Sequence, residues 1–202
     1  MSLNDTTIRS HLQKDKILRR ILHNRTGYSI APQKNLFRFI CHSIISQQLN
    51  VRVAGILIER FEEVIGKKNI RPVYLLDVDV EVLRKVGLSA SKVTYLKSAA
   101  RYFADMRISD ARLYRMDDRE VTDMLVQING IGKWTAQMVL LFGMGRPDVF
   151  APDDLGIRQA MIHQYKLHSL SGKALNDRMI AIAEPWRPFR SYAMLHLWAM
   201  RG

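Results

Sequence analysis

Two glycines one residue apart, Gly130-Ile131-Gly132, most constrain how this chain can fold. They follow an apolar helical segment and precede Lys133-Trp134-Thr135, which is typical of a helix start. Glycine tolerates backbone conformations that side chains forbid, and it lets the backbone of another molecule come close. The segment therefore predicts a tight hairpin between two helices. Backbone N–H groups and the positive end of a helix dipole would meet there beside a lysine, which makes the hairpin a candidate phosphate site.

Apolar residues at helical spacing run through almost every other segment, and no segment shows the alternation of a strand. The spacing predicts a first helix from about Asp5 to Asn24, ended by Gly27, and a second helix with Pro32 in its first turn. Asp117 opens the helix before the hairpin as a capping-box variant. Further helices are expected at 51–64, 72–76, 80–86, 92–106, 155–165, 175–183 and 189–200. We therefore expect an all-α protein.

The charge balance limits the kind of partner. A formal net charge of +12 calls for an anionic one, and the basic residues are spread along the chain rather than gathered in a tail. This distribution favours a folded surface laid on a phosphate backbone. The single cysteine, Cys41, excludes a disulfide framework and a Cys-ligated metal or iron–sulfur cluster. Without a membrane-length apolar run or a secretory signal pattern, we expect an intracellular protein without membrane association.

Three segments in order carry a resemblance to a known family. They are Gly-Ile-Gly-Lys-Trp-Thr-Ala at 130–136, Asp-Val-Phe-Ala-Pro-Asp-Asp at 148–154, and Trp-Arg-Pro-Phe-Arg-Ser-Tyr-Ala at 186–193 with the ending His-Leu-Trp at 196–198. On these residues the chain resembles the helix-hairpin-helix (HhH-GPD) DNA glycosylase superfamily, and within it the 3-methyladenine DNA glycosylase II branch, which repairs alkylated DNA. The resemblance covers roughly residues 35–202.

This resemblance implies a bilobal helical fold with a central cleft, lacking the N-terminal β domain of longer relatives. Residues 1–202 would form a single glycosylase unit. Its hairpin-containing lobe would span roughly residues 35–150, and the N- and C-terminal helices would form the other side of the cleft.

The implied activity is base excision. The enzyme would flip an alkylated base, chiefly a 3-methyladenine-type purine, out of double-stranded DNA, hydrolyse its N-glycosidic bond and leave an abasic site. Two alternatives stay open: a glycosylase for oxidised or deaminated purines, and a non-catalytic helix-hairpin-helix DNA-binding module. Asp154, Trp134 and Trp198 argue against the module, because a mere binder needs none of them. We expect a monomer and no cofactor, although a monovalent cation could bridge the hairpin carbonyls and a DNA phosphate.

Asp153 and Asp154 lie at a predicted helix start, where the dipole favours an ionised carboxylate by roughly 0.3–1 kcal/mol. An anion there can stabilise the cationic sugar that develops as the base leaves, and it can orient water. From spacing alone, both residues could be helix caps. Residue-by-residue matching to the family's motif implies that Asp154 is the catalytic aspartate and leaves Asp153 as the N-cap.

Two tryptophans are candidates for the base pocket. An electron-rich indole attracts an electron-deficient methylated purine, although a tryptophan at helical spacing is more often part of a core. The family match implies that Trp134 and Trp198 both line the pocket. Met138 and Ala199 stand where the best-known relatives carry aromatic residues, which implies a roomier pocket. Tyr192 either lines the pocket or packs.

The hairpin also bears on whether the enzyme nicks the strand. Its predicted contacts to the DNA backbone are Gly130, Ile131, Gly132, Lys133 and Thr135. In the bifunctional members of the family a lysine acts as nucleophile one residue after Lys133, where this chain has Trp134. Because one residue along a helix turns the side chain by about 100°, Lys133 cannot simply substitute. We therefore expect a monofunctional enzyme in which Lys133 contacts phosphate.

The loop at 46–50 joins two predicted helices and mixes polar and apolar side chains. Such a loop would suit a wedge that fills the gap left by an extruded base, and the resembling family uses this loop in that way. Gln48 and Leu49 are the candidate wedge residues. The residues alone leave open that the loop is an ordinary helix connection.

Overall fold

The computed structural model describes residues 5–23 and 27–200. Within these two stretches the regular structure is helical and no β-strand occurs, which confirms the all-α prediction. In the same residues, no helix combines the length and the apolar character that crossing a membrane requires.

The helices follow one another with short connections. They are α1 (Asp5–Leu12), α2 (Lys16–His23), α3 (Leu36–Ser46), α4 (Val51–Ile65), α5 (Pro72–Asp77), α6 (Val80–Lys85), α7 (Ala90–Asp105), α8 (Asp110–Arg115), α9 (Asp118–Leu125), α10 (Lys133–Met138), α11 (Leu155–Gln164), α12 (Gly172–Ala183) and α13 (Arg190–Trp198). Single 3₁₀ turns lie at Lys67–Asn69 and Glu184–Trp186, and a π-helical turn at Val139–Gly143 continues α10.

The chain divides into two compact units. The hairpin unit is Pro32–Met144 and contains α3 to α10. The terminal unit joins the described residues up to Ala31 with those from Gly145 onward, and contains α1, α2 and α11 to α13.

In the hairpin unit, α7 packs against both α3 and α5. The apolar face of α3 is fully buried, and the ring of Phe37 lies 5.2 Å from that of Phe103 in α7. The π-helical turn packs on the same helix α3, since Gly143 brings the backbone close to the ring of Phe39. Helix α3 therefore packs against α7 and against the π-helical turn.

Two lysines of α7 satisfy carbonyl groups at the ends of neighbouring helices, where the last turn of a helix lacks internal partners. Nζ of Lys92 donates to three carbonyl oxygens at the end of α3, those of Ile44, Ile45 and Gln47, at 3.1, 2.8 and 2.8 Å. Lys97 does the same at the end of α5. Burial lowers the pKa of both ammonium groups. Lys92 therefore fixes the point at which the loop after α3 begins.

The structure overturns the prediction of one continuous first helix. The chain breaks between α1 and α2, because Oδ1 of Asp15 accepts the N–H groups of Ile17 and Leu18 and so caps a new helix. Oδ2 of the same carboxylate accepts the hydroxyl of Tyr165 and Nε1 of Trp186, at 3.0 and 3.1 Å. The predicted end at Asn24 lies outside the described residues.

The prediction that Pro32 lies in the first turn of the second helix is also wrong. Helix α3 begins at Leu36, because Oδ1 of Asn35 accepts the N–H of Arg38 at 2.8 Å and caps the helix there. Helix α8 was not foreseen from the sequence, although Ser109 caps it in the ordinary way. The capping box at Asp117 is confirmed, with Glu120 as the reciprocal partner.

Candidate active site

The hairpin joins α9 to α10, and its two glycines differ in backbone conformation and in the space around them. Gly130 has φ +87°, and a Cβ there would lie 2.2 Å from the ring of Tyr95, so both the backbone and the space require glycine. Gly132 has φ −91° and ψ 175°, which any residue adopts, and a Cβ there would meet nothing within 4 Å. The expectation that both glycines hold conformations forbidden to side chains is therefore right for Gly130 and wrong for Gly132. At Gly132 the absent side chain leaves the start of α10 open to an approaching group.

The remaining hairpin residues divide between the surface and the interior. The side chain of Ile131 is buried, and its N–H donates to the carbonyl of Ile128 at 3.0 Å and closes the turn. Lys133 is exposed. Thr135 is buried, and its hydroxyl lies 3.4 Å from Nε2 of Gln47. Sequence reasoning missed Gln47, and its only signal was a polar residue directly after an apolar helix.

The predicted base-pocket residues fall in both units. Trp134 and Met138 lie one turn apart on α10, on the same helix face. Trp134 is 42% exposed, whereas Met138 is buried. Trp198 and Tyr192 belong to α13 of the terminal unit.

Asp154 is buried and lies directly before the first residue of α11. Its Oδ1 accepts the N–H groups of Gly156 and Ile157, both at 2.9 Å, and Nε1 of Trp198 at 2.8 Å. Asp154 is therefore itself the N-cap. The assignment of the cap to Asp153 is wrong, because Asp153 is exposed one position further from the helix, where it accepts Nδ2 of Asn176 at 3.2 Å.

A polar network in the terminal unit fixes the segment that leads to Asp154. Oγ of Ser191 donates to the carbonyl of Arg146 at 2.7 Å and accepts the N–H of Val149 at 2.9 Å. Asp148 pairs with Arg190, with Nε and Oδ1 2.7 Å apart. All of these residues except Arg146 belong to the three motifs, but the sequence did not indicate which ones would pair. Their bonds join the start of α13 to the segment that leads to Asp154.

Tyr192 lines a cavity of about 310 Å³ in the terminal unit, together with Tyr28 and Asp5. Burial and the nearby charge of Asp5 raise the pKa of its phenol. Beside the cavity, the ring of Tyr28 meets that of His196 edge-on at 4.8 Å. The base-pocket role of Tyr192 stays a prediction.

The loop after α3 presents both wedge candidates and one further residue. Gln48 is exposed with φ +57°, and Leu49 is half-buried. Asn50 caps α4 as expected, accepting the N–H of Val53 at 2.9 Å. Val51, the first residue of α4, is 91% exposed and was not among the candidates.

Two other features concern possible ligands. Cys41 is fully buried, which raises the pKa of its thiol. Among the residues that the structure describes, no group of three or more His, Cys, Asp or Glu could hold a metal ion.

Known proteins share both the sequence pattern and the fold. The family model described as HhH-GPD superfamily base excision DNA repair protein matches residues 41–188. The chain therefore belongs to this superfamily, and the resemblance inferred from the motifs is confirmed.

Individual relatives agree with this assignment. A Bacillus subtilis protein provisionally named a DNA-3-methyladenine glycosylase is 32% identical over 184 residues, which are 88% of this chain. The chain spans only 63% of that protein's length. DNA-3-methyladenine glycosylase 1 of Schizosaccharomyces pombe is 32% identical over 177 residues, 87% of this chain and 75% of its own length. The structure of a 3-methyladenine DNA glycosylase from Schizosaccharomyces pombe, in complex with abasic DNA, superposes with a TM-score of 0.79 at 28% identity and covers 95% of each chain.

Proposed function

We propose that this protein is a DNA glycosylase that removes alkylated bases, chiefly 3-methyladenine-type purines, from double-stranded DNA and leaves an abasic site. The relatives and the geometry of one carboxylate support this proposal. Its relatives are named for 3-methyladenine, and one of them binds abasic DNA, the product of such a reaction. The observation that carries the proposal is the buried carboxylate of Asp154, which lies inside the region matched by the family model. Its Oδ1 accepts hydrogen bonds from three N–H groups.

The chemistry asks little of the protein beyond a fixed negative charge. The bond between C1′ and the base nitrogen breaks and its electron pair leaves with the base. The oxygen of a water molecule bonds to C1′, and that water gives up a proton to the solvent. An alkylated purine leaves readily because it already carries positive charge. The sugar becomes cationic as the base departs, and a carboxylate that is already oriented stabilises that charge without reorganisation. We assign this role to Asp154.

The residues proposed to contact the flipped base are Trp134 and Met138 of α10 and Trp198 and Tyr192 of α13. Trp134 is 42% exposed, and an indole face attracts a cationic purine. The flexible thioether of Met138 adapts to ligands of different shape. These properties favour a substrate range wider than one lesion.

The same helix supports a monofunctional enzyme. The family's lyase lysine corresponds to Trp134, which has no nucleophilic group, and Lys133 is the first residue of α10, on a different face. A strand-nicking step needs a lysine amine that attacks C1′ and forms a Schiff base. We therefore propose that hydrolysis is the only reaction.

We propose that the hairpin contacts the DNA backbone. The open approach at Gly132, the start of α10 and the exposed Lys133 together suit one phosphate. Gln48, Leu49 and Val51 are the proposed wedge. We further propose that the protein acts as a monomer.

The decisive experiment offers the protein a panel of matched duplexes and cleaves abasic sites with alkali. The duplexes carry 3-methyladenine, 8-oxoguanine, hypoxanthine or no lesion. Excision of 3-methyladenine above the others supports the proposal, and preferential release of 8-oxoguanine or hypoxanthine contradicts the substrate assignment. Tight binding without release of any base would instead identify a binding module. Nicking without alkali, or a covalent adduct trapped by borohydride, would contradict the monofunctional assignment.

A further inference from the structure

We propose that Trp198 is a positioning residue for the Asp154 carboxylate, and that its ring nitrogen is needed as well as its aromatic face. The inference rests on the proposed function, in which Asp154 stabilises the sugar cation. It begins from the 2.8 Å hydrogen bond that Nε1 of Trp198 donates to Oδ1 of Asp154, across 44 residues of sequence.

The three donors on Oδ1 come from two different helices. Gly156 and Ile157 belong to the first turn of α11. Their two N–H groups therefore fix the position of the carboxylate with respect to α11 and to no other helix. Trp198 is the last residue of α13, which packs against α11. A third donor from a separate direction limits rotation of the carboxylate about its last side-chain bond. The orientation of the charge is therefore set by the packing of two helices, with Trp198 as the link.

The bond also suits a carboxylate acceptor. Indole Nε1 can only donate, and a hydrogen bond to a carboxylate is charge-assisted. In a buried site such a bond matters more than at the surface, because water cannot replace the lost donor. Loss of this N–H should therefore reduce the precision with which the carboxylate is oriented.

The terminal unit contains a matched control pair. Nε1 of Trp186 donates to Oδ2 of Asp15 at 3.1 Å, and Trp186 is fully buried. That carboxylate caps α2 and also accepts the hydroxyl of Tyr165. Replacing Trp186 by phenylalanine therefore removes the same kind of bond from a carboxylate whose role is structural.

The test compares Trp198→Phe with Trp186→Phe in three measurements on the full chain. They are the single-turnover excision rate, the affinity for a duplex with a neutral tetrahydrofuran abasic analogue, and the affinity for one with a cationic pyrrolidine analogue. The ratio of the two affinities reports the oriented negative charge, and neither analogue carries a base on which an indole could stack. In Trp198→Phe we expect excision to fall about tenfold or more and the preference for the cationic analogue to drop by a similar factor. In Trp186→Phe we expect a lower unfolding temperature, with the preference for the cationic analogue as in wild type.

An unchanged preference for the cationic analogue in Trp198→Phe would overturn the inference, however much excision slows. The ring would then act only by packing or stacking. This outcome is distinct from failure of the proposed function, which would appear as wild-type protein that releases no base from any duplex.

A measurement on wild-type protein keeps the inference testable if Trp198→Phe does not fold. The indole N–H resonance of Trp198 should shift in Asp154→Asn, because the variant changes the group that accepts its hydrogen bond. The resonance of Trp186 should not shift. A Trp198 resonance that is insensitive to this substitution would contradict the inference.

Discussion

Nε2 of Gln47 donates a hydrogen bond to the carbonyl oxygen of Gly130 at 2.8 Å, between residues 83 positions apart. The carbonyl of Gln47 in turn accepts the ammonium of Lys92. The loop that carries the wedge candidates and the hairpin that would hold a phosphate are therefore tied together inside one unit. Because the side chain of Gln47 connects the loop to the hairpin, it sets the distance between the proposed wedge and the proposed phosphate site.

Asp154→Asn should abolish base release while binding to an abasic-analogue duplex stays close to wild type. Asparagine is as good an N-cap as aspartate, so α11 should remain intact and only the charge is lost. Single-turnover excision and anisotropy binding measure the two effects. Asp153→Asn is the control, because Asp153 is exposed and accepts a hydrogen bond from Asn176 at the surface. Retention of about a tenth of wild-type excision in Asp154→Asn would show that its charge is not required.

Alanine substitutions at the two hairpin glycines should have different effects, one on the stability of the protein and the other on DNA binding. Gly130→Ala places a side chain at φ +87° against Tyr95, so it should lower stability by about 1–3 kcal/mol, measured by thermal unfolding. Gly132→Ala has ordinary dihedral angles and free space, so its unfolding temperature should match wild type. It should nevertheless weaken binding to undamaged and abasic-analogue duplexes alike, because the added methyl group obstructs a close phosphate. Wild-type affinity of Gly132→Ala for both duplexes would place the phosphate elsewhere.

Lys133→Ala should weaken DNA binding mildly and lower the slope of log affinity against log salt by about 0.9, the share of one phosphate. A salt titration on undamaged duplex measures the slope. Lys173→Ala removes the same charge from an exposed lysine of α12 that pairs with Asp177. An equal change of slope in both variants would indicate a general effect of net charge rather than a contact at the hairpin.

Lys92→Met should reduce excision more than Lys97→Met does, at similar cost in stability. Each change removes an ammonium from carbonyl oxygens at a helix end, and a buried acceptor left without its donor costs about 1–3 kcal/mol. Only Lys92 holds the end of α3, from which the loop with Gln47 and the wedge candidates continues. Thermal unfolding and single-turnover excision are measured on both. Equal excision rates in the two variants would mean that the loop needs no such anchor.

The parts of the fold that depend on neighbours in sequence could be predicted. Helix periods, the capping box at Asp117 and the cap at Asn50 are set within about four residues, the reach of helical hydrogen bonds. The turn that requires glycine at Gly130 is equally local in its backbone, although its contact with Tyr95 is not. Local signals also misled, since the apolar stripe continues across Asp15 and hides the break between α1 and α2.

The helical class, the superfamily, and the candidate carboxylate and hairpin could be predicted from the sequence alone, because motifs and helix periods are short-range patterns. Which side chains meet depends on the tertiary structure. Trp198 reaches Asp154 across 44 residues, Gln47 reaches Gly130 across 83, and Trp186 reaches Asp15 across 171. Each of these bonds joins a side chain to a group in another part of the fold. Such pairs depend on the positions that several packed helices impose on both partners, and no spacing along the chain encodes those positions.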